Sequence, residues 1–353
     1  MDFATAPFVT DAIRKRCENE VLGYTGKPDS YYNAIINWVK QRYDLVVAKE
    51  MINFVPGIVP GIGMAMNCFT QKGDKVMIQP PVYHPFAWVT TRNERTLVTN
   101  PLKWENGMYR MDLDTFREQI KGCKLFILCN PHNPGGVVWT EAELRAIADI
   151  CYDEKVLVFS DEIHADLTLP PHTHRPFATV SEKARMNSVT FMSPSKAFNM
   201  PGLSASHALI FNEDLRKRFR IYMDAGELDM GHVFAFLSVE AAYSHGTEWL
   251  DQCLAYIQGN IDFVDDFLKN HAPKIKAIRP EASYLVWLDC RELKLSQKDL
   301  NEFFVDKAHL ALNDGEMFGK EGIGFMRLNV ASPRCIIEKA MKQLADAYQL
   351  YIK

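Results

Sequence analysis

The chain has 353 residues, 47% of them apolar and 24% charged, the balance of a soluble globular protein with room for two domains or one large α/β unit. Forty Lys and Arg against 44 Asp and Glu leave a net charge of -4, so no global basic field draws the chain to nucleic acid. The longest apolar runs, "KLFILC" and "KVLVFS", are too short to cross a bilayer, and the opening "MDFATAPFVTD" has neither the basic nor the apolar part of a signal peptide.

From about residue 50 to 260, short β-rich runs alternate with helical stretches. The runs are "KVMIQ" (75–79), "KLFILC" (124–129), "KVLVFS" (155–160), "SVTFM" (188–192) and "HALIF" (207–211). Between two of them, Thr140 followed by Glu143 predicts a capping box ahead of apolar residues at helical spacing. Continuous apolar strands alternating with helices predict a mostly parallel sheet covered on both faces. Beyond about residue 262, "ASYLVWLDC" and "GFMRLNVA" read as strands, and "SQKDLNEFFVDKA" and 334–349 as helices. They predict a smaller α+β domain, joined through the helical run 247–270 without a flexible linker. The eight cysteines are scattered with no CxxC pair, which predicts free thiols in a reducing cytoplasm rather than disulfides or a zinc site.

Three polar clusters follow three of the predicted strands: "NPHNPGG", "DEIH" and "SPSK". Ligands of open parallel sheets bind beyond the carboxyl ends of strands. Lys196 has no charged residue within six positions on either side, which favours a neutral, nucleophilic amine. Asp161 closes an apolar strand, and Ser193, Ser195 and Asn133 offer hydroxyl and amide donors. An amine, an acid and a set of phosphate donors together suit pyridoxal phosphate, whose aldehyde condenses with lysine and whose ring nitrogen needs an acid partner. Singly, each residue has a plainer reading: a surface lysine, a capping aspartate, an asparagine in a Pro-Gly turn. "PPHTHRP" (170–176) holds two histidines without a carboxylate or cysteine at ligand spacing, and reads as a loop.

The ordered set "GYT" (23–25), "VPGIVPGI" (55–62), "QPPVYHPF" (79–86), "CNPHNPGGVVWT" (129–140), "SDEIHADL" (160–167), "SPSKAFNMPGL" (193–203) and "MRLNVASPR" (326–334) resembles the fold-type I, class I/II pyridoxal-phosphate enzymes. Within them it is most similar to the cystathionine β-lyase branch, the cysteine-S-conjugate β-lyases of the MalY/PatB type. The resemblance implies the aspartate aminotransferase-like α/β fold. It divides the chain into an N-terminal segment 1–23 packing with the small domain, a large cofactor domain 24–262 and a small C-terminal domain 263–353.

The resemblance also implies roles. Lys196 matches the Schiff-base lysine, Asp161 the partner of the ring nitrogen, Asn133 the partner of the ring hydroxyl, and Tyr83 the aromatic that stacks on the ring. Gly57, Ile58 and Val59 match the phosphate turn, to which Ser193 adds a hydroxyl. Arg327 matches the clamp on the substrate carboxylate. Tyr24 matches a tyrosine that reaches the neighbouring subunit's cofactor, implying a homodimer with shared active sites.

Two positions depart from the aminotransferase pattern. Ser204, after Gly202 and Leu203, stands where many aminotransferases carry a phosphate-gripping arginine, and His164 stands where a tyrosine is usual; both are similar to the β-lyase branch. That branch usually carries a further segment before "MDFAT", often including an arm near the active site. The expected activity is α,β-elimination of L-cystathionine or related cysteine S-conjugates to a thiol, pyruvate and ammonia. A transaminase and a cofactor-binding regulator acting through a partner are the alternatives. Tyr83, Trp88 and the loop "MFGKEG" (317–322) are expected to shape the leaving-group pocket.

Overall fold

The computed structural model describes residues 1–351 of the chain. Its centre is a seven-stranded sheet made of β1 (Ile52–Val55), β2 (Lys75–Ile78), β3 (Thr96–Thr99), β4 (Cys123–Cys129), β5 (Leu157–Asp161), β6 (Ser188–Met192) and β7 (Ser206–Leu209). They lie in the order β1-β7-β6-β5-β4-β2-β3. The five strands from β3 to β6 run parallel, and β7 is antiparallel to both β6 and β1.

Burial on both faces explains the unbroken apolar runs. In β4, Phe126 and Leu128 belong to one core together with Met77 and Val158, while Leu125 and Ile127 join another with Phe159 and Phe191. Truncating a buried Phe such as Phe126 to Ala is expected to cost about 3–5 kcal/mol. The predicted capping box is present: Thr140 Oγ1 accepts from Glu143 N, and Glu143 Oε2 accepts from Thr140 N, opening helix Glu141–Asp153. The edge strands 52–55 and 96–99 are not among the runs read from sequence.

A second, four-stranded antiparallel sheet comprises β8 (Lys276–Ile278), β9 (Leu285–Asp289), β10 (Asn313–Asp314) and β11 (Phe325–Asn329), in the order β8-β9-β11-β10. "SQKDLNEFFVDKA" forms helix only over Gln297–Glu302 before passing into a π-turn over Phe303–Lys307. The run 247–270 is one continuous helix, Thr247–His271, and Asn260 within it donates to the carbonyls of Val330 and Ser332 just past β11.

The first residues meet the second sheet's end, with Asp2 N donating to Ala331 O. Helix Pro7–Cys17 instead lies on the side of the large sheet, where Phe8 packs on Phe198. The segment 1–23, expected to pack with the small domain, thus makes contacts at both Ala331 and Phe198. Among the described residues no helix is long and apolar enough to cross a membrane.

Candidate active site

The parallel register brings strand ends side by side: Cys129 opposes Asp161, which opposes Phe191. Asn130 N donates to Asp161 O at 2.9 Å, and Ile163 N donates to Asp161 Oδ1 at 3.0 Å, so the carboxyl is fixed by backbone. Burial pushes its pKa up to about 7. The next residue, Glu162, is buried away from the cavity, where Ser160 Oγ, His174 Nε2 and Phe177 N each lie 2.8 Å from its carboxylate. His174 thus anchors the "DEIH" turn, a role the proline-rich loop around it did not disclose.

Lys196 follows β6 on a tight turn closed by Phe198 N to Pro194 O and Met200 N to Ser195 O. Burial lowers the pKa of its amine, the nearby Arg327 guanidinium lowers it further, and Asp161 opposes both. Lys196, Asp161, Asn133, Tyr83, His164 and Arg327 all line one cavity of about 420 Å³. His164 is buried, its Nδ1 has no partner, and burial holds its pKa down at about 3, so the ring is neutral.

A third wall is the start of helix Ile58–Phe69. Gly57, its N-cap, has φ 131°, a conformation that side-chain-bearing residues avoid. The amides of Ile58 and Val59 sit in the first helical turn, where no carbonyl of the helix reaches them. Ser195, Ser204 and Ser206 line the same cavity. Ser193 does not. Its hydroxyl lies 2.8 Å from both Ala205 O and Ser195 Oγ and accepts from Ser195 N. The resemblance gave Ser193 the phosphate hydroxyl; the serine of this turn that lines the cavity is Ser195.

The remaining wall comes from the second sheet. Register pairs Asn313 with Arg327. Arg327 Nη1 donates to Asn133 Oδ1 at 2.8 Å and Nη2 to Asn313 Oδ1 at 2.7 Å, while Nε has no partner among the described residues. Burial lowers the Arg327 pKa to about 10; the groups opposing this are the hydroxyls of Tyr83 and Tyr284, not a carboxylate. A guanidinium whose partners are neutral keeps its charge available to a carboxylate.

Sequence reasoning missed Asn313 and Tyr284: Asn313 lies on a two-residue strand and Tyr284 just ahead of β9, so neither is announced by an alternating run. Tyr24 is 99% exposed in the irregular segment 18–28 and takes no part in this chain's own cavity. Trp88, Met317 and Phe318, expected at the leaving-group pocket, line a separate cleft.

The donor set fits pyridoxal phosphate. It has a buried amine for the aldehyde, a buried acid for the ring nitrogen, an amide for the ring hydroxyl, and a helix start with hydroxyls for the phosphate.

The sequence model of class I and II aminotransferases matches residues 1–344. The chain belongs to this family. Among class I and II aminotransferases in the broad sense, it is 37% identical to cystathionine β-lyase PatB of Bacillus subtilis over 349 residues, 98% of this chain and 90% of PatB. Cystalysin from Treponema denticola, solved with pyridoxal 5′-phosphate, superimposes with a TM-score of 0.97 at 34% identity, covering 100% of this chain and 90% of cystalysin. The pyridoxal-phosphate-bound C–S lyase of Staphylococcus hominis, complexed with L-cycloserine, gives 0.92 at 34% identity, covering 99% and 90%. The fold is that of the fold-type I pyridoxal-phosphate enzymes.

Proposed function

We propose that the chain is a pyridoxal-phosphate-dependent carbon–sulfur β-lyase that cleaves L-cystathionine or related cysteine S-conjugates to a thiol, pyruvate and ammonia. The observation that carries this reading is the convergence, in one cavity, of a buried amine at Lys196, a buried acid at Asp161 and a guanidinium at Arg327 without a carboxylate partner. The likeness to PatB and to the S. hominis C–S lyase supports elimination over transamination.

When bound, pyridoxal phosphate supplies an electron sink for the carbanion formed at the substrate's Cα. Lys196, its pKa lowered by burial, takes the Cα proton as general base. Asp161 hydrogen-bonds the ring nitrogen's proton and keeps it in place. Arg327 receives the α-carboxylate, Asn133 holds both Arg327 and the ring hydroxyl, and Tyr83 covers the ring face. The Cα–H bond breaks first; the Cβ–S bond then breaks, its electron pair leaving with sulfur as thiolate. The residual enamine takes up water to give pyruvate and ammonia.

A homodimer in which Tyr24 reaches the partner's cofactor site belongs to the same reading, supported by the full exposure of Tyr24. A cytoplasmic location is supported by eight unpaired cysteines.

Incubation of the purified protein with L-cystathionine and no keto acid tests the reaction. Pyruvate and thiol in equal amounts are expected. Turnover that requires a keto acid and releases no thiol overturns the lyase in favour of an aminotransferase.

A further inference from the structure

Arg327 touches more than the two amides. Its guanidinium carbon lies 4.6 Å from the centre of the Phe318 ring, over its face. That ring is buried and clamped edge-on by His84, centroids 5.8 Å apart, and by Trp287 at 5.4 Å. Its main chain is tied across to the cofactor side, with Val82 N donating to Phe318 O at 2.8 Å, one residue before Tyr83.

The loop that presents Phe318 is built rigidly. At its base the backbones of Gly315 and Gly322 touch, and a Cβ on either would collide with the other's carbonyl. Asp314 accepts from Gln297 Nε2 at 2.5 Å, Asn301 Nδ2 at 2.6 Å and Glu316 N at 2.8 Å. The two hydrogen bonds that Arg327 donates to Asn133 Oδ1 and Asn313 Oδ1 hold the guanidinium at its edge, but edge contacts alone leave its tilt free. A ring beneath its face removes that freedom, and the attraction of a cation for the π face also offsets some of its lost hydration.

We propose that Phe318 is a positioning residue that sets the plane of the Arg327 guanidinium for the substrate's α-carboxylate. This rests on the reading that Arg327 binds that carboxylate. Phe318 touches neither substrate nor cofactor; it acts through Arg327. The loop "MFGKEG" then tunes recognition of the carboxylate end common to all substrates, rather than of the leaving group.

The test compares S-ethyl-L-cysteine with its methyl ester, using holoenzyme of the wild type, Phe318→Leu and Phe318→Tyr. The wild type is expected to prefer the free acid strongly. Phe318→Leu is expected to raise KM for the acid about tenfold, with kcat within about twofold, and to cut the acid-over-ester ratio by the same factor. Phe318→Tyr keeps the ring face and is expected to stay close to wild type. Calorimetric titration with glycine, which has no leaving group, reads the same tenfold loss of affinity without turnover.

A wild type that prefers the acid, with a ratio unchanged in Phe318→Leu or reduced equally in Phe318→Tyr, overturns the positioning role and leaves the carboxylate reading standing. A wild type that accepts acid and ester alike overturns the carboxylate reading, and the proposal with it. Should Phe318→Leu fail to fold, Phe318→Met, closer in length to Phe, carries the same comparison.

Discussion

The cavity has two kinds of wall. On the cofactor side, Asp161 and Lys196 sit at strand ends and are held by main-chain hydrogen bonds, such as Ile163 N to the Asp161 carboxyl and Met200 N to Ser195 O. On the substrate side, Arg327 is held by side chains: two amides and, beneath it, one aromatic ring. The first wall is therefore set by the sheet and changes little with single substitutions around it. The second is set by side chains that can be exchanged one at a time, so selectivity among substrates has its freedom there.

The sharpest way to break this contrast is at the groups themselves. Lys196→Ala is expected to lower kcat by about 10⁴-fold or more and to abolish the coloured band of a lysine-linked cofactor, measured by stopped assay and absorbance. A variant that stays coloured and active would move the catalytic amine elsewhere. Arg327→Gln is expected to reduce kcat/KM by about 10²–10³-fold, mostly through KM, while the chromophore persists. Equal losses in kcat and in cofactor content would mean that the two walls are not separable.

Asp161→Asn probes the cost of the backbone-built wall. Its carboxyl has a folded pKa near 7 against an ordinary 3.8, so the cofactor-free fold holds a proton that the unfolded chain has released between those values. Stability conferred at low pH is accordingly lost as pH rises from about 4 to about 7. At pH 8 the cofactor-free Asn variant is expected to be about 4 kcal/mol more stable than wild type in urea, and near equal at pH 4. A gap that does not change with pH would show that the carboxyl is not strained by burial.

The smallest effect is expected at His207, beside Ser206 of the cavity wall but on the opposite face of its strand. It is buried, both ring nitrogens lack partners among the described residues, and burial holds its pKa down at about 3. His207→Leu is expected to add about 1 kcal/mol at pH 7. The gap widens as pH falls below about 6.5, because there only the wild-type unfolded chain gains a proton. Denaturant midpoints at pH 7 and 5 measure it, and a destabilised Leu variant would reveal an unseen partner for the ring.

The same division decides what the sequence disclosed. Residues of the cofactor wall lie within a few positions of an apolar strand that announces them: Asp161 after "VLVFS", Lys196 after "SVTFM", Asn133 after "LFILC". Residues of the substrate wall are gathered by register and loop packing. Asn313 meets Arg327 only because two short strands pair, and Phe318 reaches it only because its loop docks on Val82. Neither relation leaves a local pattern. Ser193 and Ser195 show the limit on the legible side as well, since two serines two residues apart face different surroundings and composition does not say which one the cavity receives.

Helix Thr247–His271 gives the site a further property. Near its start, Trp249 packs on Phe198, two residues beyond Lys196; at its middle, Asn260 grips the chain just past Arg327's strand. One unbroken rod thus ties the Lys196 turn to the strand of Arg327, the base and the carboxylate anchor of the proposed reaction. Every α-amino acid presents the same span from Cα to carboxylate, whatever its side chain. A β-amino acid puts one more carbon between its amine-bearing carbon and its carboxylate, and with the carboxylate seated on Arg327 the proton on that carbon falls out of step with the lysine. The helix makes the α-amino acid backbone a unit of length that the enzyme measures before any bond is broken.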